Sequence, residues 1–75
     1  MSNTKKQMIM LKEQAGELAG LLWSTLNGTE GMPLKQLKRL TKLTDKLLYL
    51  GLGWLLREDK IVVEDSTDGM FIKLA

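Results

Sequence analysis

The sequence lacks the two side chains on which many metal sites and many catalytic sites rely. It contains no cysteine and no histidine. No disulfide can form, and the usual thiolate and imidazole metal ligands are absent. The commonest general base and the most reactive nucleophile are absent too. We therefore expect a protein that is not an enzyme and that needs neither a cofactor nor a metal ion.

Long hydrophobic runs are also missing. No segment approaches the roughly 18 apolar residues that a membrane-spanning helix needs. The apolar run Met8–Leu11 near the N-terminus is too short for the core of a signal peptide. We expect a cytoplasmic protein without a membrane partner. The net charge of +2, from 11 basic and 9 acidic residues, is too small to indicate a nucleic-acid partner by itself.

The 75 residues are enough for one domain, 1–75, with one small core. Residues 1–7 are polar, and we expect them to be disordered. Apolar residues then recur at steps of three and four, which predicts an amphipathic helix from about Met8 to Leu26. The recurring residues are Met8, Leu11, Ala15, Leu18, Ala19, Leu22 and Leu26. Asn27-Gly28 forms a natural helix C-terminus.

Two shorter helices are expected next. Met32 is a candidate for a very short strand, and the single proline, Pro33, suits the entry to a helix. Leu34, Leu37 and Leu40 form an apolar seam on that second helix. After a turn at 41–43, Thr44 is a good N-cap for a third helix that runs to about Asp59. The residues predicted for its core side are Leu48, Leu52, Leu55 and Leu56.

The last segment predicts a β-hairpin. Apolar or β-branched runs at 61–63 and 70–74 flank the turn signal Ser-Thr-Asp-Gly at 66–69. Ile61 and Val63 should share a buried face with Ile72 and Leu74, and Glu64 and Lys73 should face water. The chain is therefore predicted to be mainly α with a small β-hairpin. Three helices and a two- or three-stranded wing form a winged helix-turn-helix.

Two tracts carry a family resemblance, AGELAGLLWSTLNG at 15–28 and LYLGLGWLLREDKI at 48–61, with a hairpin that ends in FIKL. From about Met10 to Leu74 the chain resembles a family of short bacterial winged helix-turn-helix proteins of unassigned function. The string Leu-Gly-Trp-Leu at 52–55 is the most specific part. The resemblance implies the winged-helix fold, and the wider winged-helix group includes both DNA-binding regulators and protein-interaction modules.

Basic residues cluster where a helix-turn-helix lies nearest to a DNA backbone. They are Lys35, Lys38, Arg39, Lys42 and Lys46, and Asp45 is the one acidic residue among 35–46. These side chains could neutralise phosphates; alternatively, they form the solvated face of a small helix. Thr44, Lys46 and Tyr49 would lie nearest to base edges. No Arg, Asn or Gln accompanies them, so little sequence preference is expected.

The wing carries the opposite charge. Residues 58–68 contain five acidic side chains and one basic one, Lys60. A wing that touches DNA usually brings Arg or Lys, so phosphate should repel this one. The chain is thus expected to be dipolar, which suits contact between molecules as well as it suits DNA.

An apolar stripe on the third helix gives a second functional hypothesis. Leu47, Leu50 and Trp54, flanked by Lys46 and Arg57, are expected on the side away from the core. Exposed stripes of this kind commonly form protein interfaces. The alternative for Trp54 is that the first strand or residues 8–10 cover it.

The glycines inside the predicted helices have two possible explanations. Each costs a helix about 1 kcal/mol relative to alanine. Gly51 fits close packing of the first helix on the third, whereas Gly16 and Gly20 lie on the polar side of the first helix and could admit a second chain.

The sequence leaves two candidate functions open. The first is a small, transcription-regulator-like protein that binds duplex DNA through backbone contacts. The second is a protein-interaction or homodimerisation module that does not bind DNA.

Overall fold

Three helices and a three-stranded antiparallel sheet are present in the computed structural model, which describes residues 4–67 and 69–75. This architecture confirms the predicted fold class and the predicted order of elements. The elements are α1 (Thr4–Leu26), β1 (Met32–Pro33), α2 (Leu34–Thr41), α3 (Asp45–Arg57), β2 (Ile61–Ser66) and β3 (Gly69–Leu74).

Helix α1 begins at Thr4, four residues before the apolar periodicity starts. Residues 4–7, which we expected to be disordered, are therefore helical, because their lysines and glutamine are good helix formers even without an apolar partner. Residues 1–3 and the side chains of residues 4–10, including that of Met8, lie outside the described part of the structure. The predicted C-terminus is confirmed: Gly28 has a φ of +84°, and the Asn27 N–H donates to the Trp23 carbonyl at 2.8 Å.

The buried face of α1 ends earlier than predicted. Ala15, Leu18, Ala19, Leu22 and Leu26 are buried, but Leu11 is 51% exposed. It lies on the predicted apolar face, but the rest of the described chain does not bury it. Residues 11–14 of α1 are all exposed, and the described buried face begins at Ala15.

The segment from α2 to α3 follows the predicted local signals. Pro33 is the N-cap of α2, and Lys42 closes that helix in a left-handed conformation with a φ of 59°. Thr44 caps α3 as predicted, because its hydroxyl oxygen accepts a hydrogen bond from the Leu47 N–H at 3.4 Å. The apolar seam of α2 is narrower than predicted. Leu37 is buried, but Leu40 is 56% exposed because nothing packs over the end of so short a helix.

Helix α3 packs on α1 through its buried residues Leu48, Gly51, Leu52 and Leu55. Leu56 was predicted for this face and is 47% exposed, because it lies one step of about 100° beyond Leu55 on the helical wheel. The helix ends at Arg57 rather than near Asp59.

Gly51 is the point of closest approach between α1 and α3. A Cβ atom at this position would lie 2.6 Å from the Leu22 Cδ1 atom and 3.1 Å from the Leu18 Cβ atom. The expectation that this glycine serves close helix packing is confirmed.

The wing has the strand order β1-β3-β2. Ile61 pairs with Leu74 and Val63 pairs with Ile72, and Ile61 and Ile72 are buried as predicted. On the opposite face the Lys73 ammonium lies 3.3 Å from the Glu64 carboxylate, with both side chains largely exposed. The strands extend to Ser66 and Gly69, further toward the turn than predicted. Met32 pairs with Ile72, which confirms the short first strand.

A matched pair of substitutions tests the close contact at Gly51. Gly51→Ala should lower the free energy of unfolding by about 1–2 kcal/mol, because overpacking against α1 outweighs the gain in helix propensity. Gly53→Ala should raise it by about 0.5–1 kcal/mol, because a Cβ there has nothing within 4 Å. Urea denaturation of both variants measures the difference. A Gly51→Ala variant as stable as Gly53→Ala would contradict the described helix packing.

Candidate nucleic-acid interface

The five clustered basic side chains lie on one connected segment of the surface. Lys35, Lys38, Arg39, Lys42 and Lys46 are all exposed, and we call them the basic face. They belong to α2, to the turn after it and to the first turn of α3. The left-handed backbone at Lys42 lets the chain leave α2 and enter α3 within three residues. The fold therefore brings the predicted basic residues together.

One acidic residue lies within the basic face. The Lys38 Nζ atom is 2.7 Å from the Asp45 Oδ1 atom, and both side chains are largely exposed. Such a surface pair contributes little to stability, but it neutralises one of the five positive charges locally. Among residues 11–67 and 69–75, whose side chains the structure describes, the only other ion pair is that of Lys73 with Glu64. Four basic side chains of this face are thus available to an anionic partner.

The predicted base-reading positions are exposed but offer few groups that could hydrogen-bond to base edges. The Thr44 hydroxyl is already used as the N-cap acceptor. Lys46 is exposed and Tyr49 is 52% exposed. The arrangement agrees with the sequence-based expectation that this helix offers few groups for reading bases.

Arg57 extends the positive surface, a role that the sequence analysis did not assign to it. Lys46, Gly53 and Arg57 are exposed and follow one another at steps of seven and four residues, so they lie along one outward line of α3. The Arg57 guanidinium carbon lies 5.8 Å from the centre of the Trp54 ring, close enough for a cation–π contact. The helical spacing of Arg57 from Lys46 was the feature of the sequence that could have predicted this shared face.

The apolar stripe is less exposed than predicted. Leu47, Leu50 and Trp54 are all half-buried, so the two leucines that were expected to be exposed are partly covered. Leu50 and Trp54 lie beside Leu11, Lys12 and Ala15 of α1, with which they line a groove. Trp54 is covered by α1 residues such as Ala15 and Ala19, with which it lines two grooves, rather than by the first strand. The alternative cover, the side chains of residues 8–10, lies outside the described residues.

Two grooves lie on either side of Trp54, between α1 and α3. The one toward the start of α1, here called the overhang groove, has a volume of about 320 Å³ and is lined by Leu11, Lys12, Ala15, Leu50 and Trp54. The other has a volume of about 330 Å³ and is lined by Gly16, Ala19, Gly20, Trp23, Ser24, Trp54, Leu55 and Lys60. A Cβ at Gly16 or Gly20 would meet nothing within 4 Å. The approach of a second chain at these glycines stays a prediction.

The opposite flank of α3 is also apolar, and the sequence analysis missed it because Leu56 was assigned to the core. Tyr49 and Leu56 are exposed there. With Val63 and Met70 of the wing they border a groove of about 210 Å³. Helix α3 thus presents a basic start, a basic end and two apolar flanks.

The hairpin carries the negative charge that was expected of it. Glu58, Asp59, Glu64 and Asp65 are exposed, and Asp68 lies outside the described residues. Across the described part of the chain, no group of three or more acidic side chains is placed to hold a metal ion. The helices described also include none long and apolar enough to cross a membrane.

Comparison with known proteins places this fold in a family. A sequence profile of a winged helix-turn-helix domain family, DUF2582, matches residues 10–74. The chain belongs to this family. A solution NMR structure of protein BT2368 from Bacteroides thetaiotaomicron is similar, with 33% sequence identity and a TM-score of 0.74, over 84% of this chain and 77% of that one. A search of curated protein sequences found no significant match. The winged helix-turn-helix fold is commonly a DNA-binding fold.

Proposed function

We propose that this winged helix-turn-helix domain binds duplex DNA through the phosphate backbone, as a small transcription-regulator-like protein. The observation that supports this most is the basic face, where Lys35, Arg39, Lys42 and Lys46 are exposed and have no ion-pair partner among the described residues. In a helix-turn-helix, this segment crosses the DNA backbone and introduces the following helix into the major groove. The positive charge therefore lies on the segment of the fold that would face the phosphates.

The outward line of α3 supports the same orientation. Lys46 at its start and Arg57 at its end are separated by eleven residues, or about 16 Å along the helix axis. A helix that lies in the major groove has phosphates at both edges of the groove, about 12 Å apart. Positive charge at both ends of α3 suits contact with the two backbones.

We expect little sequence preference in this binding. Specific base contacts most often come from Arg, Lys, Asn or Gln side chains, and the first turns of α3 offer only Lys46 among these. The Thr44 hydroxyl caps the helix, and Gly53 has no side chain. The acidic wing should stay away from the DNA rather than enter the minor groove.

A second candidate function is protein interaction. It is favoured by a specific observation, the apolar grooves on both flanks of α3. Leu47, Leu50 and Trp54 lie toward one of these flanks. Such grooves are suited to a protein partner or to another copy of the chain, and they do not overlap the basic face.

The backbone-binding proposal predicts a characteristic salt dependence. Lys42→Ala and Lys46→Ala should each weaken binding to any duplex and reduce the slope of log K against log salt by about 0.9, because each removes one phosphate contact. Lys60→Ala is the matched control. It removes the same charge from the acidic segment between α3 and β2, next to Glu58 and Asp59, and should leave the slope unchanged. Fluorescence anisotropy with a labelled duplex at several salt concentrations measures the slopes. Equal effects of all three variants, or no binding at about 50 mM salt, would refute the proposal.

Asp45 provides a test in which stability and binding change in opposite directions. Asp45→Asn should lower the free energy of unfolding by about 0.5 kcal/mol, because a carboxylate at the start of α3 favours the helix dipole. The same change should tighten DNA binding about fivefold, because it frees Lys38 and removes a repelling charge. Thermal denaturation and DNA titration of one sample measure both quantities. Weaker DNA binding by this variant would show that phosphates do not approach the basic face.

A further inference from the structure

We infer that this chain forms a symmetric homodimer in which α3 of one copy packs on the wing of the other. The inference deepens the second candidate function, protein interaction, on which it rests, and it does not depend on DNA binding. It starts from the groove of about 210 Å³ between α3 and the wing, which Tyr49 and Leu56 border on one side and Val63 and Met70 on the other. We call it the wing groove.

The α3 side of the wing groove leaves large apolar side chains uncovered. Tyr49 is 52% exposed and Leu56 is 47% exposed, and their spacing of seven residues places them on one face of the helix. Val63 and Met70 are half-buried on the facing side. Gly53 adds no side chain between the two, and a Cβ there would meet nothing within 4 Å. The patch therefore offers an apolar ridge with an open space beside it.

The two sides of the wing groove carry opposite charges. Asp65 pairs with Met70 in the sheet, and directly paired residues of antiparallel strands project from the same face. The Asp65 side chain thus lies on the sheet face that borders the groove. On α3, Lys46 lies three residues before Tyr49 and is its neighbour on the helix surface. Lys46 and Asp65 are both exposed, and neither has an ion-pair partner among the described side chains.

The direction of the chain brings these two charges to the same end of the groove. The Lys60 N–H donates to the Leu55 carbonyl at 2.9 Å, and β2 then turns back beside α3, because strand and helix border the same groove. From the start of β2 to Asp65 the strand advances about 13 Å, which equals about nine residues of helix. Counted back from Arg57, the last residue of α3, this distance reaches the first turn, where Lys46 lies.

Charge complementarity assigns the wing groove to a second copy of the chain. Duplex DNA would be repelled by the acidic side of the groove, and a basic peptide would be repelled by the basic side. A two-fold axis along the groove turns the α3 side of one copy onto the wing side of the other, which is the self-complementarity that a symmetric dimer needs. Lys46 of each copy then faces Asp65 of the other, and each apolar ridge packs on the other wing.

Such a dimer uses part of the surface that the proposed DNA binding needs. Lys46 also belongs to the basic face, and Tyr49 is one of the residues expected nearest to base edges. The second copy and duplex DNA would therefore compete for the start of α3. The dimer itself is tested without DNA, so that a failure of either proposal can be told from a failure of the other.

Reversal of either charge should weaken the dimer. Sedimentation equilibrium should show association of the native chain at concentrations up to about 1 mM. Lys46→Asp places two carboxylates opposite each other, and Asp65→Lys places two ammonium groups opposite each other. Each variant should raise the dissociation constant about tenfold or more. Lys35→Asp is the matched control, because it makes the same change in net charge on α2 and should leave the dissociation constant unchanged.

Mixing the two reversed variants tests the pairing itself and does not depend on how either variant folds alone. In a 1:1 mixture, Asp at position 46 of one copy faces Lys at position 65 of the other, and the remaining contact is the native one. The mixture of Lys46→Asp with Asp65→Lys should therefore associate as the native chain does, whereas Lys35→Asp mixed with Asp65→Lys should show no such recovery. A native chain that stays monomeric at about 1 mM, or a mixture that associates no better than its two components, would overturn the inference.

Discussion

The contact of α1 with α3 at Gly51 is the constraint on which the rest of the structure depends. The missing side chain lets α3 approach Leu18 and Leu22 closely, and this approach sets the position of the whole helix. Leu48, Leu52 and Leu55 are buried as a result. The same approach directs Tyr49, Gly53 and Arg57 outward. One small residue thus helps to decide which side chains of α3 belong to the core and which face outward.

Electrostatics adds a second level of organisation to this packing. The basic face and the acidic hairpin occupy different parts of the surface, and the described residues contain no buried charged side chain. The charges therefore do little for stability and are free to select partners. A polyanion would be attracted to the basic face and repelled by the wing. The two flanks of α3 are apolar instead and are suited to contacts of a different kind.

Helical and strand periodicity predicted which face of each element turns inward, but not how far the rest of the chain covers it. The Thr44 cap, the pairing of Ile61 with Leu74 and the packing role of Gly51 depend on local signals, and all three were predictable. Leu11 and Leu40 belong to predicted apolar faces and Leu56 was assigned to the core, yet all three are exposed, because their cover depends on where a helix ends or a neighbour stops. The half-burial of Leu50 has the converse cause, because α1 residues such as Leu11 and Ala15 lie beside a flank that the sequence of α3 alone leaves open. The basic face itself was predictable from sequence, whereas the role of Arg57 required the helix direction.

Gly31 has a consequence for how this domain meets a partner. With a φ of +103°, it lies so close to β3 that a Cβ would be 2.6 Å from a ring carbon of Phe71 and 2.8 Å from the Ile72 carbonyl oxygen. β1 follows at once and leads into α2 without a linker, so the start of the helix-turn-helix is fastened directly to the middle strand of the wing. The domain has no hinge at this junction. The helix-turn-helix and the wing therefore form one unit at this junction, and a partner would meet both in a fixed relative arrangement.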